Sequence, residues 1–152
     1  MNAPFTPPPT GTPLPRWAAR LGYAGLIPFV ALAAAAWLAP AAHRAQAAFA
    51  LLAYGATIAS FLGAIHWGLA MRGPLTPQPG PFVWGVFPSL VAWVALLLPL
   101  SQGLVTMALL LGICLSVDRR SYPAYGLGDW LSMRLHLTVV AALCMLAGSM
   151  AA

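Results

Sequence analysis

Few side chains in this 152-residue chain can do chemistry. Its formal charges are seven arginines and two aspartates, with no lysine or glutamate, and it has three histidines. His66 draws attention first, because histidine titrates near neutral pH and suits proton exchange or ligand binding. The bland alternative is a neutral packing histidine hydrogen-bonded to a neighbouring backbone group or hydroxyl. Arg134 also has two readings. It either snorkels to a nearby headgroup layer or pairs with Asp118, failing that Asp129, these being the only acids in the chain. Ser60 and Ser89 add hydroxyls to the same inventory. No Ser-His-Asp order, phosphate loop or zinc-protease helix occurs, so no catalytic residue is assigned. A metal site from His66, Cys114 and His136 lacks a fourth ligand and any ligand spacing, so no metal is assigned. A bis-histidine haem fares no better: Arg134 and His136 point about 160° apart on one helix, and no haem-attachment motif is present. No cofactor is expected. Cys114 and Cys144 lie in apolar runs, where small buried hydrophobes are their natural role.

The elements that must hold these residues follow from composition. Charged residues make up 6% of the chain, hydrophobic residues 61%, and the mean hydropathy is +0.85. Nine charges cannot cover a water-soluble shell, and disorder needs the opposite balance. An integral membrane protein remains. The net charge of +5 does not indicate nucleic acid, because the arginines are scattered and most of the chain is apolar. Residues 1–15, with six prolines and no charge, read as a Pro-rich disordered tail without the pattern of a cleavable signal. Residues 16–152 read as one transmembrane domain.

Five apolar stretches in that domain approach the length needed to cross a hydrocarbon core of roughly 30 Å. They run from Trp17 to about Leu38, about Ala45 to Met71, Phe82 to Leu100, about Leu104 to Val117, and Trp130 to Met150. The fold class is therefore all-α, a polytopic helical bundle of about five helices whose short connections make consecutive helices antiparallel. No internal repeat is visible. With a cytoplasmic N-terminus, Arg16, Arg20, Arg72, Arg119, Arg120 and Arg134 lie inside and only Arg44 outside, a strong positive-inside bias. Trp17, Trp37, Trp84, Trp130, Tyr122 and Tyr125 fall near span ends, as an aromatic belt requires.

Helix packing is written most clearly in the second span. Small residues recur every four positions in two rows, Gly55/Ala59/Gly63 and Ala56/Ser60/Ala64/Gly68. Small residues let backbones approach where lipid removes the hydrophobic drive between helices, so this span is expected at the centre of the bundle. His66 lies within roughly 20° of Gly55 and Ala59 on the helical wheel and so faces protein. Prolines 28, 88 and 99 fall inside expected spans and predict kinks. The kink at Pro88-Ser89 either opens a small space beside His66 or is filled by neighbouring side chains, the latter being favoured.

The string YGATIASFLGAIHWGLAM at 54–71 resembles the hallmark segment of the transmembrane protein 69-like family, a domain of unknown function. PSLVAWVALLLP at 88–99 is similar to its following helix, and Asp118 through Tyr122-Pro123 to Arg134-Leu135-His136-Leu137-Thr138 to its last motif. The resemblance covers roughly residues 17–148. It implies a bundle of about five helices in a bacterial inner or mitochondrial membrane, and it brings no activity.

By depth, His66, Ser89, Cys114, Asp118 and Arg134 fall in the cytoplasmic third of the bundle and Ser60 nearer its middle, while the outer half is almost wholly aliphatic. Two functions are compatible with this layout. The favoured one is a multi-pass protein of a bacterial inner membrane acting as an accessory, assembly or interaction factor. Its partners would be the bilayer, further copies of itself, or other membrane proteins. The alternative is a small transporter or proton-coupled carrier using the polar site.

Overall fold

The computed structural model describes residues 14–72 and 79–152. The expected Pro-rich tail therefore lies, apart from Leu14 and Pro15, outside the described residues, as does most of the connection at 72–81. Six α-helices build five spans: α1 (Arg16–Ala24) and α2 (Leu26–Leu38) form the first, then α3 (Ala41–Met71), α4 (Pro79–Leu97), α5 (Leu100–Ser121) and α6 (Leu131–Ala151). All five are long and apolar enough to cross a membrane, and no strand occurs among the described residues. The protein is an all-α, multi-pass membrane helical bundle.

Proline chemistry sets the boundaries. Pro28 has no N–H to offer Ala24 four residues earlier, and its ring crowds that carbonyl. The first span accordingly breaks at Gly25, and the Tyr54 hydroxyl donates to the Gly25 carbonyl at 3.0 Å beside the break. Pro40 and Pro99 precede α3 and α5 with extended backbone, so the connections 39–40 and 98–99 turn the chain in two residues. Pro99 thus ends a connection and does not kink a span, because α4 stops at Leu97. The fourth span is longer than the apolar run suggests. Helix α5 begins at Leu100 and continues through Asp118-Arg119-Arg120, where cations in the last turn suit the negative end of the helix dipole. Short 3-10 turns at Tyr122–Tyr125 and Gly128–Trp130 then lead into α6. Gly126 between them adopts φ 70°, a left-handed conformation that favours glycine.

Helix α3 packs against α2, α4, α5 and α6, the central position its small residues predict. A Cβ at Gly55 would strike Met145 and Met107, and one at Gly63 would strike the Gly85 carbonyl. Gly85 in turn lies under Trp67, whose indole donates to the Phe82 carbonyl at 2.7 Å. Pro88 is buried against this crossing, its ring 3.4 Å from where a Cβ on Gly63 would stand. Only the first small-residue row is an interface throughout. In the second row Ala56 is buried, but Ser60, Ala64 and Gly68 are exposed. The expectation that Gly68 packs is corrected: nothing lies within 4 Å of a Cβ added there. Past Ala56 the row faces outward. The remaining surface is apolar, with Leu38, Phe61, Trp93 and Leu143 all at least 60% exposed, as lipid-facing helices require.

Candidate functional site

Antiparallel alternation gathers one end of every span at the end of the bundle that carries Arg16, Arg72, Arg119 and Arg120. There α3, α5 and α6 bring three ionisable side chains together. Asp118 is 1% exposed, in the last turns of α5. Its Oδ2 accepts from Arg134 Nε at 2.8 Å and from Nη2 at 2.6 Å. Its Oδ1 lies 3.5 Å from His66 Nε2. Arg134 is 7% exposed, so it is turned into the bundle and paired instead of snorkelling. Asp129 takes no part in this pair. Of the two arrangements the sequence left open for Arg134, the buried pair with Asp118 is the one adopted.

Helix periodicity explains the convergence. His66 shares the buried face of α3 with Ala59, Leu62 and Gly63, and its Nδ1 lies 3.4 Å from the Leu62 carbonyl. Asp118 lies one turn beyond Cys114, and both are buried on α5. Because α5 stays helical through Ser121, that hydroxyl also reaches the cluster. Ser121 donates to the Val117 carbonyl at 3.0 Å, and its hydroxyl oxygen lies 3.2 Å from His66 Nε2, within hydrogen-bond reach. Tyr122 closes the other side. It is 3% exposed, its ring centroid lies 6.1 Å from that of His66, and its phenol sits beside the Arg134 guanidinium. Trp84 of α4 meets His66 edge-on at 6.3 Å.

Two members of the expected polar layer stand apart from this cluster. Ser60 donates to the Ala56 carbonyl of its own helix at 2.9 Å, on an exposed flank of α3. Ser89 does the same with the Val86 carbonyl at 2.7 Å. Each satisfies its hydroxyl locally, as serines in apolar helices do. His136 also lies apart, exposed on α6 with its Nδ1 3.1 Å from the Tyr23 hydroxyl. Two aromatic assignments change as well: Tyr122 is a buried wall of the cluster and Trp84 packs on His66, so neither is simply an interfacial anchor.

Sequence reasoning passed over three residues. Ser121 falls in an expected connection and Tyr122 in the expected aromatic belt, because Asp118-Arg119-Arg120 has the pattern of a solvated helix end. Thr138 was visible one turn after Arg134 on the same face. It is 5% exposed, and its hydroxyl has no hydrogen-bond partner.

Chemically, the cluster consists of one carboxylate shared between a guanidinium and an imidazole. It can hold three helices in register and exchange protons locally. Beside it a cleft of about 530 Å³ opens between the first span and α6, with Tyr122, Arg134 and Thr138 in its otherwise apolar lining.

The family described as "Protein of unknown function (DUF3429)" matches residues 14–150. The chain is similar to Transmembrane protein 69 of Xenopus tropicalis, 39% identical over 132 residues, covering 84% of this chain and 51% of the relative. It is also 32% identical to Transmembrane protein 69 of Mus musculus, covering 84% of this chain and 53% of that protein. The chain thus spans about half the length of these relatives. No solved structure matches.

Proposed function

Because the chain belongs to the DUF3429 family, a protein family of unknown function, we propose a role that its own side chains support: an accessory protein of a bacterial inner membrane. It works through its lipid-facing helix surfaces, on membrane-protein partners or further copies of itself. The N-terminus is placed in the cytoplasm, since the end of the bundle rich in arginine suits the positive-inside rule.

One observation carries this reading: the ionisable groups are paired with one another at one end of the bundle. Both Asp118 oxygens face donors, and the buried polar side chains among the described residues are His66, Asp118, Arg134 and Thr138, all toward one end. A carrier needs exchangeable groups that reach both sides of the membrane. Here the buried core beyond Thr138 among the described residues is apolar, with Ala33, Ala36, Leu51, Leu52, Leu104 and Met145. The cluster therefore serves as a lock that fixes α3, α5 and α6, and the outer faces remain for recognition. The first span and α4 suit that task, being only 17% and 22% buried.

A proton-coupled carrier is the second reading. It is favoured by the short run of exchangeable groups from Ser121 through His66 to Asp118, at 3.2 and 3.5 Å. Photo-crosslinkers placed at Val30 and Trp93, on the exposed faces of the first span and α4, test the accessory role in native membranes. One discrete protein adduct, or a specific self-adduct, is expected from at least one face. Lipid adducts alone at both positions, from a protein that purifies as a lone monomer, would overturn it.

A further inference from the structure

The cleft beside the cluster does not enter the role just proposed. Its walls come from residues 18–29 of the first span, from α3 and from α6, with Phe29, Ile58, Leu62 and Leu137 among the apolar lining. Along α6 it runs from Trp130 to Ala141, about 16 Å at 1.5 Å per residue. That is close to one leaflet of a hydrocarbon core roughly 30 Å thick. Its volume, about 530 Å³, lies in the range of small-molecule sites.

Three polar groups interrupt the apolar walls, and they have hydrogen bonds to give. A guanidinium carries five N–H groups. Asp118 takes two of those on Arg134, so donors remain for Tyr122 and for an occupant. Thr138, one turn further along, is buried with its hydroxyl unpartnered. It does not even engage the Arg134 carbonyl four residues earlier, the usual recourse of a helical threonine. The matching ligand is a long apolar chain headed by a hydrogen-bond acceptor. That acceptor need not be charged, because Asp118 already neutralises Arg134.

We propose that this cleft binds one acyl chain of a membrane glycerolipid, with the chain's ester carbonyl accepting from Arg134 and Thr138. An acyl chain satisfies each feature at once. Its ester carbonyl sits between Arg134 and Thr138, its chain runs on past Ala141 toward the bilayer centre, and it enters sideways from the bilayer past the least buried span. Selection is by chain and carbonyl, and the headgroup remains outside at the level of Leu127 and Trp130. The inference is independent of the accessory role and survives its failure.

Native mass spectrometry of the full chain in mild detergent tests the site, with dioleoyl phosphatidylcholine, dioleoyl phosphatidylglycerol and dihexanoyl phosphatidylcholine as probes. One retained lipid is expected, with similar retention of the two dioleoyl lipids. Dihexanoyl lipid should be held at least about tenfold more weakly, since binding follows buried apolar area. Leu137→Trp and Ile58→Trp fill the cleft from different walls, and each should remove the adduct. Thr138→Val, which keeps the shape and deletes the hydroxyl, should weaken it several-fold. Equal retention in wild type and both tryptophan variants would overturn the proposal, as would retention that follows headgroup charge regardless of chain length. Should both tryptophan variants misfold, the chain-length series on the unaltered protein decides alone.

Discussion

Replacing Asp118 with asparagine tests the lock directly, because the change is nearly isosteric and removes only charge. Arginine cannot shed its proton inside a protein, so Arg134 would stay charged, 7% exposed and without its carboxylate. Removing one partner of a buried pair costs about 3–5 kcal/mol. Two features of the site place the expected loss near the lower bound. Asparagine keeps one oxygen that still accepts from the guanidinium, and Arg134 lies only three residues after the start of α6 at Leu131, near enough to the interface to swing outward. A loss of about 3 kcal/mol follows, which in a chain of this size lowers the melting midpoint by on the order of 10 °C. A thiol-reactive dye in a Cys144→Ser background is a natural assay, since Cys114 is then the one thiol, 2% exposed and masked by the packing of α5. The double variant Asp118→Asn with Arg134→Leu removes both charges and should recover most of the loss. A single variant that melts with wild type, or a double variant no better than the single, would refute the reasoning.

The α3–α4 crossing and the cluster's edge give three more expectations. Gly63→Ala drives a methyl into the Gly85 carbonyl, which is backbone and cannot step aside, and should destabilise by about 1–3 kcal/mol in the same melting assay. Gly68→Ala, with nothing within 4 Å of the added Cβ, should stay within about 0.5 kcal/mol of wild type. Ser121→Ala deletes the hydroxyl within hydrogen-bond reach of His66 and should lower stability by about 1 kcal/mol, measured as a shift in the melting midpoint.

The fold was legible because lipid leaves few options: apolar length marks the spans, and prolines and short polar runs mark their ends. The central place of α3 could be read from Gly55, Ala59 and Gly63, since only small residues permit such close approach. The cluster was legible in part. His66, Asp118 and Arg134 stood out as ionisable groups at similar depth, and with two acids in the chain the partners of Arg134 were few. Ser60 and Ser89 were misplaced because depth says how far a residue lies along a helix and nothing of the direction it faces, and Gly68 because a four-residue row drifts around the helix. Ser60 and Gly68 lie on an exposed face, and Ser89 is half-buried with its hydroxyl satisfied by its own helix. Ser121 and Tyr122 were missed for a different reason. The charges at 118–120 mimic a helix end, yet Asp118 is neutralised by a residue sixteen positions away on another helix, and that pairing lets α5 continue. The cleft depends on the break at Gly25 and on packing between the first and last spans, which no local pattern records.

On the proposed role, the His66–Asp118–Arg134 cluster locks the bundle and does not conduct. Proton flux into liposomes carrying the purified chain and a trapped pH-sensitive dye tests this most directly. Under an imposed pH gradient and membrane potential, wild-type and His66→Ala vesicles should both leak at the rate of protein-free vesicles. Flux above that rate in wild type, abolished by His66→Ala in a protein that remains folded, would contradict the account.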